Sequence, residues 1–356
     1  MNNGRVVLKA VDLEGALTEK DRRGIAGMNE CYSEALESFR TLSAGESKPS
    51  LVHSETDKVI RRYETMGKLM RDITDREPRV HVYSFETPKE RHGEVSRLIA
   101  KLRDSRTGND EFVYYIQRAY ELLFNFVWGA AGMRRKNHLV VKTPVNFPVQ
   151  NYAVHKIPDV DNLIEDTVMC VMLRGALLPS MILSKEIQEY SSTGVVTPFA
   201  LFRISRDDSK TAKAMEYLLD LNMSYFDPEV LDGRHLVFAD PMNATGGSLV
   251  TIINYLSSRG IRPKSIRALN VIAALQGALQ IVRSIDNAEV HTLWMDPVLN
   301  EKAYILPGLG DAGDRINGCD TDYTRNMIQL VADYGSTLAS LYRFQVREVE
   351  RTVLGG

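Results

Sequence analysis

Three cysteines in 356 residues are too few and too scattered for a disulfide framework. Cys31, Cys170 and Cys319 stand alone, and neither they nor the seven histidines fall at zinc-ligand spacing. Cys170 lies in an apolar run and reads as a core thiol. No charge of one sign dominates: 44 Lys and Arg face 46 Asp and Glu, a formal net charge of −2. That balance leaves no basic footprint for nucleic acid. No early apolar segment reads as a signal peptide, and no apolar run is long enough to cross a bilayer. Secretion and membrane association are therefore not expected, and the chain is expected in the cytoplasm. Internal repeats and low-complexity tracts are missing as well. So are the lysine of a Walker loop and the G-x-G-x-x-G of a dinucleotide fold, which sets aside nucleoside triphosphatases and dehydrogenases.

What is present is concentrated in two loops. In the first, the apolar run from Leu236 ends at Asp240, and Thr245, Gly246, Gly247 and Ser248 follow. Leu249, Val250, Ile252, Ile253 and Leu256 then repeat at helical spacing up to Gly260. The order is strand, loop, helix. A helix start carries unpaired N–H groups and the positive end of the helix dipole, and a phosphate satisfies both. Glycines without Cβ let the backbone approach the anion, and the two hydroxyls add donors. Asp240 stands at the carboxyl end of its strand, where open α/β sheets place ligands, and can accept from ribose hydroxyls. An ordinary capped turn can also read T-G-G-S. The Asp-Pro-Met before it and the amphipathic helix after it favour the phosphate cradle. In the second loop, Ala303 to Gly318 holds Gly308, Gly310 and Gly313 together with Asp311, Asp314 and Arg315. Its exposed backbone groups suit the edge of a flat heterocycle, and the apolar entry Tyr304-Ile305-Leu306 argues against a loose surface loop.

Elsewhere, apolar strand-like runs alternate with helical ones, which predicts an α/β fold. Strands are expected at Val168–Leu173, Thr197–Ile204, Leu236–Ala239, Ile266–Ala274 and Val290–Met295. A small hood is expected to begin at Val140–Val145. Helices are expected near Arg22–Leu42 and Glu55–Ile73, and again over 321–350, where Met327, Leu330, Val331, Tyr334, Leu338 and Leu341 form one stripe. These terminal helices are expected to pack on the core or on a sister subunit; a regulatory or partner-binding module is the alternative.

Together the two loops resemble those of uracil phosphoribosyltransferases, which have the type I phosphoribosyltransferase fold. That family carries D-P-M-L-A-T-G-G-S and, later, L-N-x-x-G-Y-I-x-P-G-L-G-D-A-G-D-R. Here the motifs are Asp240 to Ser248 and Leu299 to Arg315. Upstream, Cys170-Val-Met-Leu-Arg-Gly-Ala176 is similar to the family's I-L-R-A-G pyrophosphate loop, and Ser205 to Asp208 to its Y-R-D-E segment. Ser96 to Ser105 is similar to its opening H-K-L-x-x-L-R-D helix. The resemblance spans about residues 80 to 320. It implies three parts: a helical N-terminal extension (1–80), a phosphoribosyltransferase domain (81–320) with a central parallel sheet flanked by helices, and a C-terminal helical extension (321–356).

The resemblance also implies a reaction. A pyrimidine base, uracil first, attacks C1 of 5-phosphoribosyl diphosphate (PRPP), giving a nucleoside monophosphate and pyrophosphate. Asp240, Arg174 and Asp311 would be the catalytic residues. Asp240 would hold the ribose hydroxyls, and Ala244, Thr245, Gly246, Gly247 and Ser248 the 5-phosphate. Arg174 and Arg206 would meet the pyrophosphate, with Arg203 an alternative to Arg206. Asp311 would sit near the ribose or the metal-bound diphosphate. Tyr304, Ile305, Gly310, Asp311 and Ala312 would form the base site. Mg²⁺ is implied as cofactor, carried by PRPP rather than ligated directly by the protein, and a homo-oligomer, dimer or larger, is implied. Arg206 to Lys213 is the candidate lid. Two other readings remain: the same fold acting on a different acceptor, and a non-catalytic sensor of PRPP or nucleotide. Four departures from the family pattern bear on the choice: Arg174-Gly175-Ala176 for R-A-G, Asn243 for Leu, Ala274-Leu-Gln-Gly277 for A-P-E-G, and Asn317 for Phe.

Overall fold

The structure, a computed structural model, describes residues 4–44, 48–86, 89–129, 136–207, 209–318 and 342–355. In chain order the strands are β1 (Arg5–Lys9), β2 (Val80–Val82), β3 (Lys136–Lys142), β4 (Tyr152–Pro158), β5 (Thr167–Leu173) and β6 (Phe199–Arg206). They continue with β7 (Glu216–Tyr225), β8 (His235–Ala239), β9 (Met242–Asn243), β10 (Ser265–Ala274), β11 (Ala288–Asp296), β12 (Val298–Leu299) and β13 (Ile305–Leu306). The central sheet runs β1-β7-β6-β5-β8-β10-β11-β2, with β9 paired to β10. From β6 to β2 all neighbours are parallel. At the other edge β7 and β1 run antiparallel, so the sheet is mixed rather than wholly parallel. The reason is connection length: residues 207–215 are too few for a helical crossover, and the chain returns antiparallel.

Both faces of the sheet are covered. In β5, Met169, Val171 and Leu173 join one apolar cluster, while Val168 and Cys170 join the other. That is the period-two alternation of a strand buried on both sides. The first cluster is closed by helices Lys89–Arg103, Asn109–Phe124, Leu177–Tyr190 and Arg343–Leu354. The second is closed by helices Glu19–Ser43, Pro49–Thr74, Gly247–Ser258 and Leu275–Ser284. The two expected N-terminal helices are thus present, each longer than its apolar repeat suggested. Thr18 starts the first with a capping box: its hydroxyl accepts from Asp21 N–H at 3.2 Å, and the Asp21 carboxylate accepts from Thr18 N–H at 2.8 Å. The stripe expected from Met327 to Leu341 lies outside the described residues. Where the hood was expected to begin, at Val140–Val145, the chain forms the hairpin β3–β4, paired from Lys136↔Pro158 to Lys142↔Tyr152, with its first strand placed earlier than expected.

Candidate active site

The parallel strands aim their carboxyl ends at one cavity of about 640 Å³. β5 delivers Arg174, with a cis peptide between Leu173 and Arg174. β8 delivers Asp240, whose Oδ1 accepts from Met242 N–H at 3.1 Å. Burial pushes the Asp240 carboxyl up to about 6, and the nearby charge of Asp311 adds to the shift. The loop after β9 turns through Gly246 at φ +71° into the helix Gly247–Ser258, which has no capping side chain. A Cβ on Gly246 would meet Ile281 at 2.6 Å and the Gly277 carbonyl at 2.9 Å; one on Gly247 would strike the Tyr217 ring at 2.2 Å. Only glycine fits at either place. Tyr217 Oη and Thr245 Oγ1 share a hydrogen bond of 2.5 Å, which fixes the side of the cradle.

The opposite wall is the loop from Ala303 to Gly313. β12 and β13 pair to shape it, and the Leu306–Pro307 peptide is cis. Gly308 and Gly310 adopt φ of +65° and +79°. Asp311 caps the helix Ala312–Asn317 by accepting from Asp314 N–H at 2.9 Å. Arg174 reaches across to this wall: its guanidinium donates to Asp314 Oδ1 at 2.5 Å and to Gly318 O at 2.9 Å. Gly175 lies against Gly313, where a Cβ would come to 3.3 Å of the Gly313 Cα. The Arg-Gly-Ala order therefore puts its glycine where the two loops touch. Arg206 lies 4.5 Å above the Tyr304 ring and donates to Ala303 O at 3.3 Å, so the start of the expected lid rests on this loop.

Arg174, Arg206, Asp240, residues 244–248, Tyr304, Ile305, Gly310, Asp311 and Ala312 all line this single cavity. Arg203 lines it too. Asn243 lines it, is buried, and has an amide nitrogen without a protein partner. Asn317 does not: its amide donates to Gly313 O at 2.8 Å, and it borders a separate depression beside Thr107 and Asn109.

The family model of uracil phosphoribosyltransferase matches residues 90–319. The uracil phosphoribosyltransferase of Dictyoglomus thermophilum is 31% identical over 227 residues, 64% of this chain and 96% of that one. That of Bacillus licheniformis is 30% identical over 237 residues, 67% of this chain and 98% of its own. The chain belongs to the uracil phosphoribosyltransferase family. It is a phosphoribosyltransferase, and by reaction class a pentosyltransferase. Among solved structures, the AQ2163 protein from Aquifex aeolicus aligns with a TM-score of 0.47 and 22% identity, covering 65% of this chain and 97% of that one.

Other residues support these loops without having been assigned a site role from the sequence. Ala303 stands where the family motif has glycine, and it keeps the left-handed conformation, φ +59°. Gly277 packs beneath the phosphate loop, where a Cβ would sit 2.4 Å from the Ala244 carbonyl. Asp296, at the end of β11, accepts from Gly308 N–H at 3.0 Å and pairs with Arg103 of the opening helix. Burial raises the Asp296 carboxyl, and Arg103 opposes that shift. Arg315 donates to Leu102 O, to Leu309 O at 2.7 Å and to Asp104 O and Thr107 O at 3.2 Å, strapping the loop from Ala303 to Gly313 to the same helix end. The Leu-Arg-Asp and Gly-Asp-Arg motifs, more than 200 residues apart, meet in this strap.

Proposed function

We propose that the cavity joins a pyrimidine base, uracil first, to PRPP and releases pyrophosphate. The convergence of the motif residues from four separate segments on one cavity, at the carboxyl ends of parallel strands, carries this reading. The 5-phosphate would lie on the N–H groups of the loop Ala244 to Ser248, at the positive end of the helix Gly247–Ser258. Asp240, in its ionised form, would accept from the ribose hydroxyls. The flat base would lie against the loop from Tyr304 to Ala312, read by backbone groups of Ile305, Gly310 and Ala312.

The base nitrogen forms a bond to C1 as the C1–O bond to diphosphate breaks, and the proton that the nitrogen loses passes to solvent or to the released pyrophosphate. Positive charge gathers on the ribose and negative charge on the leaving diphosphate. Arg174 and Arg206 would stabilise the leaving charge in a site poor in water, and Asp240 and Asp311 would stabilise the ribose cation. Holding the base in line with C1 supplies much of the remaining rate. Among the described residues no cluster of three or more His, Cys, Asp or Glu could chelate a metal by itself. The exposed Asp311 carboxylate at the cavity edge fits a metal carried in on the diphosphate. Bound there, Mg²⁺ would neutralise part of the diphosphate charge. The stretch from Arg206 to Lys213 would be the lid over this chemistry, excluding the competing nucleophile, water.

Purified protein with PRPP, Mg²⁺ and uracil is expected to form uridine monophosphate and pyrophosphate in equal amounts. Turnover with another base but not uracil would select a different acceptor. Tight PRPP binding with no turnover on any base would select a sensor.

A further inference from the structure

Residues before 90 lie outside the stretch matched to the family, yet they brace three elements at or beside the cavity. The first is the helix Leu275–Ser284. Its Gly277 lies backbone to backbone against Ala244, and its Ile281 lies against Gly246 and lines the cavity. The far end of that helix is gripped by the N-terminal segment. Arg283 Nη1 donates to Ala16 O at 3.0 Å and to Asp21 Oδ2 at 2.5 Å, and its Nε donates to Glu77 Oε2 at 3.3 Å. Gln280 Nε2 donates to Leu13 O at 3.4 Å. The second is the base of the proposed lid: Ala10 N–H donates to Met215 O at 2.9 Å, and Ala212 N–H donates to Glu301 O at 2.7 Å, beside the Tyr304 loop. The third is β12, against which the helix Glu19–Ser43 packs.

We propose that Arg283 is a positioning residue of the phosphoribosyl pocket: clamped by Ala16, Asp21 and Glu77, it sets the helix Leu275–Ser284 and, through Gly277 and Ile281, the place of the Ala244–Gly247 loop. The inference rests on the reading that this loop takes the 5-phosphate. Its physical basis is stiffness. A ten-residue helix is about 15 Å long and moves as a rod. The planar guanidinium fork ties that rod to two carboxylates and a carbonyl on separate stretches of chain. At the other end Gly277 lies directly against the Ala244 carbonyl, so that a shift of the helix is passed to the loop backbone.

The test uses the full chain with Arg283→Met, Arg283→Lys and Asp21→Asn. The readouts are KM for PRPP, KM for uracil, kcat, binding of ribose 5-phosphate by calorimetry, and Tm. Arg283→Met is expected to raise KM for PRPP and the Kd of ribose 5-phosphate about tenfold, with kcat and the uracil KM held within about twofold. Asp21→Asn should give the same pattern at smaller size, and Arg283→Lys should recover part of the affinity. If Arg283→Met does not fold, Asp21→Asn and Glu77→Gln carry the same readouts. Unchanged ribose 5-phosphate affinity in the folded variants would overturn the proposal, and so would activity that falls only in step with the folded fraction. A wild-type protein that binds no ribose 5-phosphate would overturn the pocket reading as well; binding kept equally in wild type and variants overturns only the role of Arg283.

Discussion

Asp240 shows how the role proposed for a single residue comes at a cost to stability. Its carboxyl is pushed up to about 6 by burial, against an ordinary value near 3.9. Between about pH 4 and pH 6 the folded state holds a proton that the unfolded state has lost. Stability therefore falls as pH rises through that window, and above it the ionised Asp240 is a standing penalty. The same ionised form is the one that would accept from ribose hydroxyls. Asp240→Asn is thus expected to raise Tm by about 2–4 °C at pH 8 while lowering kcat/KM for PRPP about a hundredfold. In the wild type, kcat/KM for PRPP should fall about tenfold per pH unit below pH 6, the profile of a free-enzyme carboxylate that must be ionised. Calorimetry and a pH–rate series check both arms. A flat profile between pH 5 and 8, or undiminished activity in Asp240→Asn, would remove the residue from this role. Gly246, Gly247 and Gly277 work differently: each is set by space, since a Cβ would enter a side chain, a carbonyl or both.

At the scale of elements, the loops that hold the site depend on partners far along the chain. Asp296 is buried, and among the described residues its cationic partner is Arg103, whose side chain is largely covered. Removing the arginine leaves a carboxylate with no counter-charge and frees the Gly308 N–H contact to shift. Arg103→Met is expected to cost about 3 kcal/mol of stability and to raise the KM for the base more than that for PRPP. Urea unfolding and steady-state kinetics measure the two effects; equal changes in both KM values would separate Asp296 from the base-side loop. This strap also marks what the sequence could and could not reveal. The phosphate loop and the Tyr304 to Arg315 loop were legible because each is contiguous and has a local physical rationale in glycine, acid and helix start. The core strands were legible because burial on both faces makes them continuous apolar runs. The packing roles of Tyr217, Gly277 and Asp296 were not, because each acts on a loop distant in sequence, and no local pattern records such a contact. The edge strands escaped for another reason: β1 and β2 are only 5 and 3 residues long, too short to establish a period. Asn317 shows the converse, since its nearness in sequence to the base-side loop does not bring it into the cavity.

At the scale of the whole molecule, the N-terminal segment is built into the fold: β1 extends one edge of the sheet, and the two long helices close one face of the core. The hairpin β3–β4 is built differently. Its strands pair with each other and, among the described residues, with no strand of the central sheet. A two-stranded hairpin alone is marginal in water. This one nevertheless exposes Leu139, Val140, Val145, Tyr152 and Val154, and its turn exposes Val149 at 70% and Phe147 at 84%. So much apolar surface on one element is what an arm covered in an assembly would show. A second copy of the chain meets the need with the fewest components, since a two-fold axis presents the same arm to both partners. Light scattering is expected to give about twice the 40.1 kDa chain mass. The double substitution Phe147→Asp with Val149→Asp is expected to shift the protein to one chain mass while leaving its circular dichroism unchanged, because neither side chain contributes to the core. A wild type that stays at one chain mass at micromolar concentration, or a double variant that stays paired, would show that the arm serves something other than self-association.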